Sequence, residues 1–128
     1  MDENGVRAAL RHYADRSAAG DSDGAHEIYT EDAILDFPQS GERFEGVSNL
    51  KAWRKDYPAK VDFDLRRVRG AEDVWVTEIG IRYDDGPWNY GVAIYEFRDG
   101  KVARETIYYA EPFPAPEWRA AWRAAPPR

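Results

Sequence analysis

The sequence predicts an α+β domain in which helices come first and a long antiparallel sheet follows. Two observations carry this reading. Apolar residues recur at helical spacing through the first part of the chain, broken by one short strand, and from residue 61 to residue 109 they alternate with polar residues instead. A third observation is negative: there is no internal repeat, no low-complexity tract and no linker, so the 128 residues read as one domain, 1–128.

Residues 4–19 place Val6, Leu10, Tyr13 and Ser17 along one side of a helix that Gly20 and Asp21 end. AAGDSDG is then a tight turn, and a second short helix capped from Asp21, Ser22 or Asp23 runs through His26, Ile28 and Tyr29. Ala33–Phe37 is a strand stopped by Pro38, and residues 39–46 read as a loop. Ser48 opens a third helix with Leu50, Trp53 and Tyr57 on one face, ended by Pro58.

The alternating part begins with Val61, Phe63 and Leu65 on one face. It continues through residues 74–83, with Trp75, Thr77, Ile79, Ile81 and Tyr83 together. Residues 89–98 and 101–109 form a hairpin through Asp99-Gly100, a pair that supplies the positive φ angles of a tight turn. The expected order is ααβαββββ. Residues 112–128 form a C-terminal arm in which Trp118 and Trp122 lie on a brief helix, expected to pack on the sheet or on a neighbouring subunit. The closing Ala-Pro-Pro-Arg is expected to fray.

Composition excludes several classes of function. A net charge of −6 with basic residues scattered among acids argues against nucleic acid or an anionic membrane as the main partner. No apolar run approaches the ~20 residues of a membrane span. The chain has no cysteine and no leader-like start, so the expected location is cytoplasmic. Two distant histidines, His12 and His26, offer no metal-ligand spacing, and neither a phosphate loop nor a dinucleotide fingerprint is present; no metal and no cofactor are expected. The 5 Trp, 8 Tyr and 5 Phe are many for this length and suit a core surrounding a ligand cavity.

The strings YADRSAAGDSDGAHEIYTEDAILDFP, GERFEGVSNLKAWRKDYP, EFRDGKVARETIYY and PFPAPEWRAAW resemble the nuclear transport factor 2-like superfamily, in its SnoaL-like and ketosteroid-isomerase-like branch. The resemblance implies a cone-shaped roll, a strongly curved antiparallel sheet packed on three helices around a small-molecule cavity. It places Tyr13 where the ketosteroid isomerases have a tyrosine that donates to an enolate oxygen. It also places Phe37 at their aspartate base and Tyr95 at their second oxyanion donor, two departures that argue against that particular reaction.

Candidate residues follow. Glu105 shares a strand face with Ala103, Ile107 and Tyr109; it is either a solvent-facing glutamate beside Arg104 or a desolvated acid–base in the cavity. Asp36 falls on the opposite strand face unless a bulge turns it inward. Tyr13 and Tyr95, with Tyr109, would hold a polarised oxygen. Phe37, Trp53, Tyr57, Trp75 and Phe97 would form the wall of the cavity or part of the core. The expected function is a cofactor-independent isomerase, cyclase or hydratase acting on a small apolar molecule, the alternative being a ligand-binding or dimerisation module. The strand 89–98 is apolar on both faces, so a homodimer through the outer face of the sheet is expected.

Overall fold

In a computed structural model, which describes residues 1–125, the helices pack on the concave face of a six-stranded, unclosed sheet. Of the closing Ala-Pro-Pro-Arg, where fraying was expected, residues 126–128 lie outside the described residues.

Helix α1 spans Glu3–Ala18, and its N-cap is Asp2, whose carboxylate accepts from the Gly5 N–H at 2.7 Å. Helix α2 is shorter than expected, Ser22–Ala25, and passes into a single 3₁₀ turn, His26–Ile28. Tyr29 therefore belongs to strand β1, Tyr29–Phe37, and not to the helix. The stretch read as a loop holds strand β2, Glu42–Glu45, joined to β1 by a turn at Pro38–Gly41 and paired antiparallel with it. Three of its four residues are charged, which hides a strand from any hydrophobic pattern; it survives as an edge strand, where charge is tolerated. Gly46, at φ 87°, then turns the chain into helix α3, Val47–Lys55.

The remaining strands are β3 (Val61–Ala71), β4 (Val74–Tyr83), β5 (Asn89–Arg98) and β6 (Lys101–Ala110). Asp99 and Gly100 both adopt positive φ, as the hairpin requires. The strand order is β2-β1-β6-β5-β4-β3, antiparallel throughout except for β1 against β6, which is parallel.

One row of residues crosses all six strands on the concave face: Gly70, Trp75, Tyr95, Glu105, Leu35 and Phe44 are successive partners from β3 to β2. Glu105 thus stands in the middle of the inner surface. Regular alternation with Ile107 and Tyr109 puts it there, and a bulge then sets which residue precedes it on that face. Glu96 pairs with Arg104 and Phe97 with Val102, so Ala103 is an extra residue with no partner of its own. Val102 and Glu105 are three residues apart and both fully or nearly buried, which a regular strand of period two cannot achieve. The expected neighbour Ala103 is therefore the bulged residue, and Val102 takes the inward position.

Helix α1 packs on β3, and α3 on β1 and β2, closing the concave side over Val6, Leu35, Leu50 and Val102. The outer face exposes Val74, Tyr90, Val92 and Tyr108. The arm forms a 3₁₀ segment, Glu117–Trp122, that does not pack on its own sheet as one expectation had it: Trp118 and Trp122 are 75% and 79% exposed. Among the described residues no helix is long and apolar enough to cross a membrane.

Gly70 is needed where it stands. A Cβ there would lie 2.2 Å from the Val74 carbonyl oxygen and 2.8 Å from Cα of Trp75, contacts that only a backbone shift relieves. Gly70→Ala is expected to destabilise the fold by about 2 kcal/mol or more, read as a lower urea midpoint at unchanged slope.

Candidate functional site

The concave face carries a buried polar chain that begins at Glu105, only 3% exposed. The Tyr29 hydroxyl, reaching over from the start of β1, donates to Glu105 Oε1 at 2.6 Å. Arg54, from the last turn of α3, donates through Nη1 to the Tyr29 hydroxyl oxygen at 3.2 Å, and the same nitrogen lies 3.2 Å from His26 Nε2. His26 Nδ1 is 2.7 Å from the Ser22 carbonyl oxygen. A carbonyl can only accept, so Nδ1 carries the proton and Nε2 accepts from Arg54. The order of donation runs Arg54 to Tyr29 to Glu105, each bond polarising the next.

Electrostatics follow from this order. Burial pushes the Glu105 carboxyl above the usual carboxylate range, while Arg54 and the Tyr29 hydrogen bond draw it part of the way back. For Arg54, burial works against the charge, but the facing Tyr29, Tyr13 and Glu105 more than offset it and hold the guanidinium protonated. His26 is lowered, chiefly by burial and against the pull of the Ser22 carbonyl, with Arg54 adding to the effect; it stands neutral, as its role as acceptor requires.

Of the residues expected at the site, the fold brings together Glu105, Tyr13 and Tyr95. Tyr95 is the direct cross-strand partner of Glu105, and its phenol is raised well above the ordinary value by burial and then by Glu105. Tyr13 meets His26 and Tyr29 edge-on at 5.7 and 6.3 Å, with the Arg54 guanidinium 5.6 Å from its ring centre. Burial raises its phenol too, so these tyrosines are neutral donors.

Asp36 is not brought there. It stands beside Thr106, while Leu35 pairs with Glu105, so it projects from the other face of the sheet. Arg43 holds it with bonds of 2.7 and 3.0 Å and Arg104 with one of 2.8 Å, and these two arginines keep it ionised and low. No bulge turns it inward, since the irregularity in β1 falls before Ile34.

Phe37, Trp53, Tyr57 and Tyr109 form a continuous aromatic cluster beside the polar chain. Phe37 stacks on Tyr109 at 6.0 Å and meets Trp53 at 6.1 Å, and Trp53 in turn faces Phe44 at 5.0 Å and Tyr57 at 6.3 Å. Tyr57 lies beyond the end of α3 and stacks on Tyr83. Near them the inner-face ring of Phe63, in β3, is half exposed, marking the open side of the sheet. Trp75 and Phe97 belong to the core toward the β3–β4 and β5–β6 hairpins, where the Trp75 indole donates to the Glu72 carbonyl at 3.0 Å. His12 is outside, 3.9 Å from Glu27. Two surface hollows, of about 470 and 480 Å³, lie by Ser22, Lys51 and Lys55 and by Tyr83, Asn89 and Pro112; neither is lined by Glu105, around which the protein's own rings close. Among the described residues no three His, Cys, Asp or Glu side chains converge as a metal site.

Sequence reasoning missed Arg54 and Tyr29 and undervalued His26. A signal for Arg54 was present, since it is four residues after the fully buried Leu50 and so on the same helix face. Tyr29 was hidden by its assignment to the second helix.

The sequence pattern of the SnoaL-like domain family matches residues 10–105. Among curated proteins none matches the chain. Among solved structures, an NTF-2 like protein of unknown function from Burkholderia xenovorans LB400 is 47% identical over 99% of both chains, with a TM-score of 0.85. A protein from Kribbella flavida DSM 17836, proposed to be a ketosteroid isomerase, is 22% identical over 98% of this chain and 92% of its own, with a TM-score of 0.83. An LEH-like epoxide hydrolase from M. tuberculosis is 15% identical over 83% of this chain and 82% of its own, with a TM-score of 0.68.

The buried pair makes a test of its own. Arg54→Met leaves the Glu105 carboxylate without its counter-ion, which is expected to cost about 3 kcal/mol of stability at pH 8. Losing Arg54 raises the Glu105 carboxyl further, so as pH falls the folded state takes up a proton before the unfolded state does. The deficit therefore shrinks toward pH 5, and urea titrations at the two pH values measure it.

Proposed function

We infer that this chain, which belongs to the SnoaL-like domain family, is a cofactor-independent acid–base catalyst acting on a small, largely apolar molecule held at the concave face. One observation carries the reading: a carboxyl group at the centre of the inner surface, removed from water and held by a tyrosine that is itself polarised by a half-buried arginine.

The chemistry follows from the geometry. Tyr29 engages Oε1 of Glu105 and leaves Oε2 as the oxygen that exchanges a proton with substrate. A carboxyl raised by burial is a stronger base than an ordinary glutamate and still a usable acid. Tyr13 and Tyr95, kept neutral by burial, are donors for an oxygen that gains negative charge during enolisation, ring closure or hydration, and Arg54 adds a fixed positive charge beside them. Substrate would enter at the open side, by Tyr57 and Phe63. Isomerase, cyclase and hydratase reactions all need this same set of a mobile proton and an oxyanion donor.

A second reading, a binding module without chemistry, is favoured by the closeness of the rings around Glu105 and by its link to Arg54 through Tyr29, since a satisfied buried charge network can be purely structural. One experiment separates the two. Wild type, Glu105→Gln and Tyr29→Phe are incubated with steroids, polyketide-like aromatic ketones, terpenoid epoxides and fatty acids, with thermal shift reporting binding and mass spectrometry or chromatography reporting conversion. The expected result is a compound that stabilises all three, is converted by wild type, and is converted at least ~10²-fold more slowly by Glu105→Gln. Binding without conversion by any of them selects the second reading. If Glu105 acts as base, the wild-type rate rises with pH through an apparent pKa above the usual carboxylate range; if it acts as acid, the rate falls there.

A further inference from the structure

Two indoles on the concave side, the buried Trp75 and the half-buried Trp53, are treated differently. Trp75 is satisfied within its own strand connection, donating to the Glu72 carbonyl. The Nε1–H of Trp53 is enclosed and meets no acceptor among the described residues. An indole nitrogen can only donate, and a buried donor with nothing to donate to costs free energy that folded chains rarely accept without a reason.

The surroundings of Trp53 indicate what would use that donor. Its ring meets Phe44 at 5.0 Å, Phe37 at 6.1 Å and Tyr57 at 6.3 Å, so the neighbourhood is made of aromatic rings at varied tilts. The Arg54 guanidinium lies 5.5 Å from the Trp53 ring centre and also donates to the Tyr29 hydroxyl that holds Glu105. One side chain therefore spans from the unpaired donor to the proton-transfer group. Water is a poor partner for a lone donor among rings, because an enclosed water needs two to four polar contacts. An oxygen atom carried on an otherwise apolar molecule needs only the one.

We propose that Trp53 is a ligand-recognition residue whose indole N–H donates to a carbonyl or ether oxygen of a flat, largely apolar substrate stacked among Phe37, Phe44 and Tyr57. The inference deepens the reading of this face as a small-molecule site and rests on it. It narrows the substrate class to planar or unsaturated compounds bearing an oxygen acceptor, in preference to plain hydrocarbons.

The test uses a ligand pair differing only in the acceptor, α-tetralone and tetralin, with the wild-type protein and Trp53→Phe, which keeps an aromatic ring and removes the donor. In ¹H–¹⁵N spectra the Trp53 indole resonance, assigned by its absence from the variant, is expected to shift on adding tetralone and to shift less with tetralin. The ratio of tetralone to tetralin affinity is expected to fall about tenfold from wild type to variant, with tetralin affinity little changed. An unchanged ratio, an equal loss of both ligands, or a wild-type indole resonance unmoved by either compound overturns the assignment. Activity is not read in this experiment, so failure of Trp53 as a donor and failure of Glu105 as a catalyst are separate outcomes: the first appears in the affinity ratio, the second in retained conversion by Glu105→Gln.

Discussion

Burying Glu105 is the constraint around which the rest of this molecule is arranged. A carboxylate taken out of water loses several kcal/mol of hydration, and the loss is tolerable only if a counter-charge and hydrogen bonds replace the solvent. Arg54 and Tyr29 do this, arriving from a helix and from the first residue of a strand that are far apart in sequence. Their positions depend in turn on the short 3₁₀ turn before Tyr29, which also presents His26 as the acceptor for Arg54, and on Gly46, which sets the direction in which α3 crosses the sheet. The three rings of Tyr13, Tyr29 and Trp53 lie around the guanidinium and shield it, so the charge is enclosed by aromatic surface on several sides.

The sheet supplies the other half of the arrangement. A continuous row from Gly70 to Phe44 aligns side chains from six strands on one face, and the bulge at Ala103 lets Val102 and Glu105 share that face. The same alternation sends Asp36 to the far side, where Arg43 and Arg104 occupy it fully. Two carboxylates within one cross-strand step of each other thus have opposite environments: one ionised in a polar network at the outer surface, one raised by burial at the inner.

The same frame is shared with chains of low identity. Family membership fixes the curved sheet and the helices that cover it, while structures of the same shape at 22% and 15% identity carry quite different descriptions. Shape alone does not choose a reaction. In this chain the inward polar side chains Glu105, Tyr29, Arg54 and His26 form a single connected chain rather than scattered donors.

How much of this was legible in the sequence depends on the range of the interaction involved. Period-two alternation after residue 61 and helical spacing before it are local signals, and they gave the class, the order of the main elements and the hairpin at Asp99-Gly100. Glu105, Tyr13 and Tyr95 were also visible as inward candidates, because a strand face or helix face can be read from neighbours a few residues away. Strand β2 was not, since a charged edge strand exists only by pairing with β1, and the roles of Arg54 and Tyr29 were not, since each is defined by a partner 25 or 76 residues distant. Apolar faces are written locally along the chain; the set of polar groups they enclose together is fixed on folding alone, because desolvation and charge pairing act through space and leave no period in the order of residues.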